Sequence, residues 1–223
     1  MCKTLIAGHN TNRFVGNLFV KKEDSQELKN YIVLSVDVLN KHVPTFIGTK
    51  NNELYFKNVL VDFDMTNFVG IDIKLGTISY WYDDNITKIM NMERKDLSTP
   101  TRRFGLRIQG IQSDNGVVKP KNENIDDAYF ILRQYFEKIP KHIIQQALHK
   151  IAEIEDDLKI SEFFKHHKLV GTSLLIFLNQ HECIVKLIDF VKVRKVKNPD
   201  NRGVLLGMKN VWLCFHSLLN DLY

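Results

Sequence analysis

Short stretches of alternating apolar and polar residues, separated by turn-forming residues, dominate the first quarter of the chain. This alternation is typical of β-strands with one buried face. A short helix is predicted between Asp24 and Tyr31, because Asp24 or Ser25 can cap its first backbone amides. Residues 1–61 are therefore expected to form a small, β-rich lobe. Its strands or turns are predicted at residues 5–7, 14–22, 31–35, 45–47 and 53–57.

The rest of the chain, residues 62–223, carries longer helical patterns between apolar strands. A polar turn at 62–67, "DFDMTN", is a candidate hinge in front of this second lobe. The first long helix would be capped by Asp83 or Asp84, and residues 113–124 are predicted to be an exposed loop. The fold class that follows is α+β. Helices are predicted at 85–97, 125–139, 143–164 and 204–222, and strands at 104–111, 169–178 and 183–191.

One predicted strand has an unusual polar face. In "IDIKLG", residues 71–76, isoleucine and leucine alternate with Asp72 and Lys74. One face is therefore apolar, and the other carries a carboxylate beside an ammonium group. An edge strand facing solvent would explain this pattern without any function, since exposed ion pairs contribute only about 0–1 kcal/mol. The rest of the sequence is needed to choose between this explanation and a binding face.

Composition is that of a folded protein, and the net charge suits an anionic partner. Its 223 residues are 44% hydrophobic and 26% charged, which excludes general disorder. No apolar run is long enough to span a bilayer, and the N-terminal residues lack a signal-peptide core. Three scattered cysteines form no metal or disulfide motif, so we expect a reducing compartment, cytoplasmic and/or nuclear. The net charge of +5 favours nucleic acid, an anionic membrane or a polyphosphate.

Candidate chemistry is carried by lysines and carboxylates at separate places. Neither a Gly-x-Gly-x-x-Gly loop nor a Walker-type phosphate loop occurs in the sequence. Lys21 ends a predicted strand of the first lobe, and Asp189 follows an apolar run. Lys88 and Lys95 fall on one face of the first long helix, about 10 Å apart along its axis. Phosphoryl transfer needs such parts, because a cation holds the nucleotide phosphates and a carboxylate holds Mg²⁺. Taken alone, Asp189 is explained by an aspartate that caps a turn, and the lysines are explained by a solvated surface.

In combination, these segments resemble the inositol polyphosphate kinases. "IDIKLGT" is similar to that family's Pro-x-x-x-Asp-x-Lys-x-Gly motif, with its aspartate, lysine and glycine in place. "GTSLLIF" at 171–177 resembles the Ser-Leu-Leu strand, and "KLIDFVKV" at 186–193 resembles the Ile-Asp-Phe metal-binding motif. "NRGVLLGMKNV" at 201–211 is similar to the closing segment Asp-x-Gly-Tyr-x-x-Gly-Leu. The motifs occur in the family's order and spacing, and the resemblance covers nearly the whole chain.

The resemblance implies a two-lobed, protein-kinase-like α+β fold that binds ATP and Mg²⁺ between an N-lobe at 1–61 and a C-lobe at 62–223. It also implies a helical inositol-phosphate-binding segment at about 84–97, and Lys74 and Asp189 as catalytic residues. The implied roles are Lys21 at the α/β-phosphates, Glu27 orienting Lys21, the backbone of Val59 to Val61 at adenine, Asp72 at the ribose, Asp189 at Mg²⁺ with Ser173 nearby, Lys74 between the transferred phosphoryl group and the substrate, and Lys88 and Lys95 at the inositol phosphate.

Three positions depart from the family pattern. Phe68 stands where the motif has proline, Lys192 where many members have histidine, and Asn201 where the closing segment has aspartate. None of them removes a residue that the resemblance implies to be essential, so an active kinase is expected. Within the family, the segment 76–101 is most similar to the hexakisphosphate kinases, with paired aspartates and a helix lysine in register.

The main hypothesis is an ATP- and Mg²⁺-dependent kinase that converts inositol hexakisphosphate to a diphosphoinositol pentakisphosphate, as a monomer without a nucleic-acid partner. The first alternative is a multikinase or trisphosphate 3-kinase acting on lower inositol phosphates. The second alternative is a non-catalytic binder of polyphosphate or nucleic acid, which would need the lysines but not the metal carboxylate Asp189. The sequence leaves the preferred substrate, the ring position and the oligomeric state open.

Overall fold

The small lobe is an antiparallel sheet with one helix packed against it. The computed structural model describes residues 12–223, so the strand predicted at 5–7 lies outside the described residues. The elements of the lobe are β1 (Arg13–Val15), β2 (Leu18–Lys22), α1 (Ser25–Leu34), a 3₁₀ helix (Val38–His42), β3 (Phe46–Lys50) and β4 (Glu53–Lys57). The strands lie in the order β1–β2–β4–β3. The predicted strand 14–22 is thus a hairpin of two strands.

Helix α1 includes most of the stretch 31–35, so the strand predicted there was wrong. Asp24 caps the helix as predicted, because its carboxylate accepts hydrogen bonds from the amides of Gln26 and Glu27 at 3.0 and 2.9 Å. The buried positions of the helix recur three or four residues apart, which is the period of a helix face packed on a core. Tertiary packing of this face therefore overrides the local alternation that had favoured a strand.

The large lobe contains a five-stranded antiparallel sheet and most of the helices. Its elements are β5 (Val69–Leu75), α2 (Ile86–Leu97), α3 (Thr101–Phe104), β6 (Leu106–Ser113), β7 (Gly116–Val118), α4 (Ile125–Phe136), α5 (Lys141–Ile160), α6 (Glu162–His166), β8 (His167–Lys168), β9 (Ser173–Leu178), β10 (Cys183–Ile188), β11 (Arg194–Lys195) and α7 (Arg202–Leu222). The large sheet has the order β10–β9–β5–β6–β7, and β8 pairs with β11 separately. β5 is therefore the central strand.

Two boundaries in the large lobe differ from the predictions. The helix predicted at 143–164 is divided into α5 and α6, because Ser161 has an extended ψ of 127° and caps α6 through a bond from the Phe164 amide. The hydroxyl of Ser161 also contacts Asp37 of the small lobe at 2.7 Å. The loop predicted at 113–124 contains β7, which pairs with β6 as a hairpin.

The start of α2 also differs from the prediction. Asn85 caps the helix, since its side chain accepts a 2.9 Å bond from the Thr87 amide. Asp84 instead accepts a 2.9 Å bond from the Trp81 amide in the preceding turn. The prediction that Asp83 or Asp84 caps this helix was therefore wrong by one or two residues.

Helices α5 and α7 pack against each other and cover the apolar face of the large sheet. A side chain at Gly105 or Gly207 would overlap the backbone of the opposite segment, and Gly105 also has a φ of 68°. Only glycine permits this approach without strain. Asn210 of α7 fixes the contact by donating a 2.8 Å bond to the Phe104 carbonyl. The opposite, polar face of β5 is left for the site.

Polar contacts and a continuous buried apolar cluster join the two lobes. Asn30 of α1 donates hydrogen bonds to the carbonyls of Phe190 and Val193 at 2.7 and 2.9 Å. At the 3₁₀ helix, His42 contacts Asp157 of α5 at 2.7 Å. The α+β prediction is confirmed, whereas the exact division at residue 61 stays a prediction. Between residues 12 and 223, no helix has the length and apolar character needed to cross a membrane.

Candidate active site

An ion pair between β2 and α1 marks the small-lobe side of the site. Lys21 Nζ lies 2.8 and 2.6 Å from the two carboxylate oxygens of Glu27. Glu27 is fully buried, and burial raises its pKa while the adjacent Lys21 opposes that shift. Loss of the lysine would leave a buried charge unpaired, which is strongly destabilising. The pair therefore fixes the position of the Lys21 ammonium, as the resemblance implied.

The loop that carries Asp189 is attached to the same helix. The Phe190 amide donates a 3.4 Å bond to Oε1 of Glu27, in addition to the contacts made by Asn30. Asp189 has a φ of 66°, which is uncommon for a residue with a side chain and is retained where the surroundings fix it. Its side chain is exposed, and no described residue forms a hydrogen bond or ion pair with its carboxylate. A carboxylate held in this way is available to a ligand.

Asp72 is a buried carboxylate on the central strand, so the explanation by a solvent-facing edge strand was wrong. The residue is 2% exposed, and its Oδ1 has no hydrogen-bond partner among residues 12–223. Burial and then the negative charge of Asp189 raise the pKa of Asp72 from 3.8 to about 7, although Ser173 and Lys74 oppose that shift. A free buried oxygen beside a second carboxylate indicates a functional site rather than a folding contact.

Lys74 lies two residues further along the same face of β5. In the sheet register it is opposite Ser173 of β9 and Arg107 of β6. Burial, followed by the positive charges of Arg107 and Lys192, lowers the pKa of Lys74 from 10.5 to about 8, while the two aspartates oppose that shift. The site thus combines two carboxylates with several cations that interact electrostatically.

Arg107 is a buried member of this site that the sequence analysis missed. It is 3% exposed, and its guanidinium contacts the Asp96 carboxylate at 3.0 Å and the Thr101 hydroxyl at 3.3 Å. Asp96 in turn accepts bonds from the amide and hydroxyl of Ser79 at 2.9 and 2.7 Å. The network fixes the end of α2 to the strand that carries Lys74. A cation inside the apolar stretch "GLRIQG" was the only indication in the sequence.

Lys192, where many family members have histidine, lies beside the same network. Its Nζ donates a 3.0 Å bond to the Ser79 carbonyl, and burial lowers its pKa. Its own carbonyl accepts a 2.7 Å bond from the Trp81 indole. Arg194 stacks on Trp81, with Cζ 4.6 Å from the ring centre, and pairs with Asp83 at 2.7 Å. These contacts hold the loop after β10 against the segment after β5.

The two helix lysines predicted to bind the inositol phosphate lie in different surroundings. Lys88 pairs with Asp84 at 2.5 Å, and both groups interact electrostatically with Lys192. Lys95 lines a cleft together with Arg107, and Lys88 is not among the residues that line it. Partial burial and then the charge of Arg107 lower the pKa of Lys95. A shared contact of Lys88 and Lys95 with one ligand remains a prediction.

The turn between β4 and β5 contains Val59 and Val61, which were predicted to contact adenine through their backbone. The Val61 amide donates a 3.3 Å bond to the Asn58 carbonyl, and the Leu60 amide donates a 3.0 Å bond to the Asn58 side chain. These bonds occupy two amides of the turn. An adenine contact is therefore restricted to the other backbone groups, and it remains a prediction.

The carboxylates of the site suit a hard divalent cation, because Mg²⁺ prefers carboxylate oxygens and water. Asp189 offers an exposed carboxylate, and Asp72 offers an oxygen without a hydrogen-bond partner in the described part of the chain. Ser173 is paired with Ile188 in the sheet, directly before Asp189, and its hydroxyl interacts with Asp72. Ser173 therefore lies beside Asp72 and opposite the residue before Asp189, and its role as a metal ligand stays a prediction.

A second group with metal-compatible spacing lies between the lobes. One ligand atom each from His42, Glu153 and Asp157 falls within 4.8 Å of the others. Lys41 already pairs with both carboxylates, at 2.7 and 2.9 Å. A lysine ammonium thus supplies the positive charge there, and the group serves the contact between the lobes.

Comparison with known proteins identifies the family. The family profile "Inositol polyphosphate kinase" matches residues 54–216, well over half of the chain. The chain belongs to the inositol polyphosphate kinase family. This match confirms the resemblance inferred from the four motifs.

Curated proteins similar to this family member include inositol-trisphosphate 3-kinases. Human inositol-trisphosphate 3-kinase A is 28% identical over 130 residues, which cover 57% of this chain and 27% of that protein. The Rattus norvegicus protein of the same name is 25% identical over an alignment of 253 positions, which covers 93% of this chain and 53% of the relative. The chain thus spans about half, or less, of the length of these relatives.

Solved structures with the same fold include inositol phosphate multikinases. Ipk2 from S. cerevisiae, in complex with ADP and Mn²⁺, has a TM-score of 0.77 at 17% identity, covering 92% of this chain and 100% of that one. A second inositol phosphate multikinase structure has a TM-score of 0.69 at 19% identity, covering 86% and 99%. At these identities the likeness shows the fold, and it confirms the two-lobed kinase-like architecture.

The names of these relatives bear on the predicted substrate. They are trisphosphate 3-kinases and multikinases rather than hexakisphosphate kinases. The comparisons therefore favour the alternative hypothesis of a kinase for lower inositol phosphates. The similarity of residues 76–101 to the hexakisphosphate branch receives no support from them.

Proposed function

We propose that the protein is an ATP- and Mg²⁺-dependent kinase of lower inositol phosphates, of the trisphosphate 3-kinase or multikinase type. The observation that carries the proposal is the grouping of Asp72, Lys74 and Asp189 beside the Lys21–Glu27 pair, where the lobes meet. Negative charge at Glu27 and Asp189 interacts across this junction. Family membership and the fold shared with multikinases support the same conclusion.

Each charged group of the site has a task in such a reaction. Lys21, fixed by Glu27, would neutralise the nucleotide phosphates, and Asp72 would use its free oxygen toward the ribose. Asp189 would hold Mg²⁺, with Ser173 nearby, and the ion would supply charge neutralisation at the phosphates. Phosphoryl transfer depends mainly on positioning and on electrostatic stabilisation of the group in transit.

Lys74 is placed to act on the transferred phosphoryl group. With a pKa of about 8, its ammonium is largely protonated at neutral pH. Burial removes competing water, so that its charge acts more strongly than it would on the surface. The group lies next to Arg107 in the sheet, which extends the positive charge from the reacting centre toward α2.

A non-catalytic polyphosphate binder is the competing function, and the buried aspartate argues against it. Binding of an anion gains nothing from Asp72, whose carboxylate is buried and has a raised pKa. A second carboxylate, Asp189, would repel the ligand. Both carboxylates are useful in a kinase, in which Asp189 would hold a metal ion and Asp72 would contact the ribose of the nucleotide.

The substrate class is tested with a series of inositol phosphates that carry increasing numbers of phosphates. ATP consumption with Mg²⁺ is measured with inositol tris-, tetrakis-, pentakis- and hexakisphosphate at equal ionic strength. We expect the highest kcat/KM for the tris- or tetrakisphosphate. Turnover confined to the hexakisphosphate would overturn the substrate proposal while leaving kinase activity intact. Absence of turnover with all four inositol phosphates would favour the non-catalytic binder.

A further inference from the structure

Helix α1 carries two buried polar side chains on one face, Glu27 and Asn30. They are three residues apart in the helix and therefore project from the same side. Glu27 is fully buried and Asn30 is 1% exposed. Burial of a polar group is costly unless the group has hydrogen-bond partners. Glu27 holds Lys21 of the small lobe, whereas Asn30 holds the loop of the large lobe that carries Asp189.

The Asn30 carboxamide joins the two ends of a tight turn. It donates hydrogen bonds to the carbonyls of Phe190 and Val193 at 2.7 and 2.9 Å, and the Val193 amide donates a 3.2 Å bond to the same Phe190 carbonyl. Gln26 donates a 3.3 Å bond to the side-chain oxygen of Asn30, which directs the amino group toward the two carbonyls. An ionised aspartate at this position could not donate these bonds. The turn therefore depends on an amide at position 30.

Asp189 lies between two fixed neighbours. On one side, Ile188 is the last residue of β10 and is paired within the large sheet. On the other side, the Phe190 carbonyl is held by Asn30, and its amide donates a 3.4 Å bond to Glu27. Asp189 itself has a φ of 66°, which a residue with a side chain retains only where its surroundings impose it. Release of Phe190 would let this backbone relax and would turn the carboxylate to another direction.

Apolar packing does not replace these hydrogen bonds. The Phe190 ring lies between the lobes, with its centre 5.4 Å from that of Tyr31 and 6.0 Å from that of Phe163. Apolar contacts are non-directional, so they fix the depth of the loop but leave the rotation of its peptide groups open. Hydrogen bonds are directional, and the two bonds from Asn30 determine that rotation.

We propose that Asn30 is a positioning residue for the divalent cation, and that it acts through Asp189, whose carboxylate it holds in the direction of the metal. The inference rests on the proposed function, because it takes Asp189 as the metal ligand. Helix α1 would then control both positive charges at the nucleotide, the Lys21 ammonium through Glu27 and the metal ion through Asn30. Groups that orient metal ligands in this way contribute about 10–100-fold to metal affinity or activity.

The test separates the binding of metal from the binding of nucleotide, with the full chain and without turnover. Calorimetric titration gives the Kd for ADP without metal and with saturating Mn²⁺, for wild type and for Asn30→Asp. The ratio of the two Kd values measures the contribution of the metal. We expect this ratio to fall roughly tenfold in the variant, while the metal-free Kd stays within about twofold of wild type. Asn30→Ala removes the same donor without adding a charge, and it is used if a melting curve shows that the aspartate variant is unfolded.

The matched control is His42→Leu, which removes another buried contact between the lobes. His42 is 6% exposed and contacts Asp157 of α5 at 2.7 Å. In the described part of the chain it forms no hydrogen bond or ion pair with residues 189–193. We expect a lower melting temperature for this variant and a wild-type ratio of the two Kd values.

An Asn30 variant with the wild-type ratio, or with both Kd values raised by the same factor, would overturn the proposal, since Asn30 would then only join the lobes. An equal loss of the ratio in His42→Leu would also overturn it, because any weakened contact between the lobes would produce the effect. A wild type whose ADP affinity does not depend on Mn²⁺ would overturn both the proposal and the metal role of Asp189. Failure of the proposed function alone has a different result: the ratio falls in the Asn30 variant, but wild type phosphorylates no inositol phosphate.

Discussion

Replacement of Asp72 by asparagine should stabilise the folded protein near pH 8 while it lowers activity. The wild-type carboxylate is 2% exposed and has an oxygen without a partner in the described residues. An asparagine has nearly the same shape and carries no charge. It keeps the contact with the Ser173 hydroxyl and removes the repulsion from Asp189.

The size of the effect follows from the pKa. The pKa of Asp72 is about 7 in the folded protein against 3.8 ordinarily, so the folded state binds this proton more tightly than the unfolded state. The stability cost of ionising Asp72 is therefore absent below pH 4, increases as the pH rises to 7, and is constant above pH 7. Each pKa unit corresponds to about 1.4 kcal/mol. The variant should gain about 2–4 kcal/mol at pH 8, because the pKa already includes the attraction to Lys74 and the buried amide itself carries a desolvation cost that reduces the gain.

The assay is urea unfolding of wild type and Asp72→Asn at several pH values between 4 and 9. The difference in free energy of unfolding should be small near pH 4 and should grow up to pH 7. The stability cost of the charged Lys74 has the opposite pH dependence, because the pKa of this lysine is lowered from 10.5 to about 8. The charged ammonium reduces the stability of the folded protein below pH 8, and this cost disappears as the pH rises from 8 to 10.5. An Asp72→Asn variant that is equally or less stable than wild type at pH 8 would refute the inference that the site is strained by buried charge.

Five further substitutions test other parts of the account. Asp189→Asn should abolish turnover in a folded protein, because loss of a metal ligand removes several kcal/mol of transition-state stabilisation; near-normal turnover would reject the metal role. Lys74→Ala should lower kcat more than it weakens ATP binding, and a change in KM for ATP alone would make Lys74 a nucleotide ligand. Lys88→Ala and Lys95→Ala should each raise KM for the inositol phosphate and leave KM for ATP unchanged. An unchanged KM for the inositol phosphate in the double variant would mean that both lysines belong to a solvated surface without a role in substrate binding. Asn201→Asp should cost about 2–3 kcal/mol in urea unfolding, since the amide donates to two buried carbonyls; a stable variant would contradict this.

Much of both lobes could be predicted from local pattern, including the strands of the small lobe, whereas the stretch 31–35 could not. The strands around Asp72 and Asp189 and the long helices have clear periods and occur close to their predicted bounds. Residues 31–35 read as a strand because of local alternation. They are helical because Asp24 caps α1 and because Tyr31 packs against Phe56 and Phe190, with ring centres 4.7 and 5.4 Å apart. Such contacts between distant segments are not visible in a local pattern.

The departures from the family motifs have structural explanations that the sequence did not offer. Phe68, in place of proline, is 5% exposed and stacks on Phe177, with ring centres 6.2 Å apart. Asn201, in place of aspartate, donates bonds to the carbonyls of Phe164 and His167 at 2.9 and 2.8 Å. A carboxylate could not donate these bonds. Contacts within the fold therefore explain the residue found at each of these two positions.

The candidate site was predicted in outline because strand spacing places Asp72 and Lys74 on one face. The network of Arg107, Asp96 and Ser79 was missed, since its members come from three elements that only the fold brings together. Lys119 and Lys121 are exposed, in agreement with the exposed loop predicted at 113–124. The sequence did not show that Asn122 anchors this loop to β6, through side-chain hydrogen bonds with the Ile108 amide and carbonyl at 3.1 and 3.0 Å.

The central claim is that the protein transfers the terminal phosphoryl group of ATP to an inositol phosphate. Transfer of label from [γ-³²P]ATP to inositol trisphosphate, with Mg²⁺ and with separation of the products by anion-exchange chromatography, tests it most directly. The account predicts a labelled, more highly phosphorylated inositol with wild type, and none with Asp189→Asn. Label released only as inorganic phosphate, or equal labelling by both proteins, would contradict it.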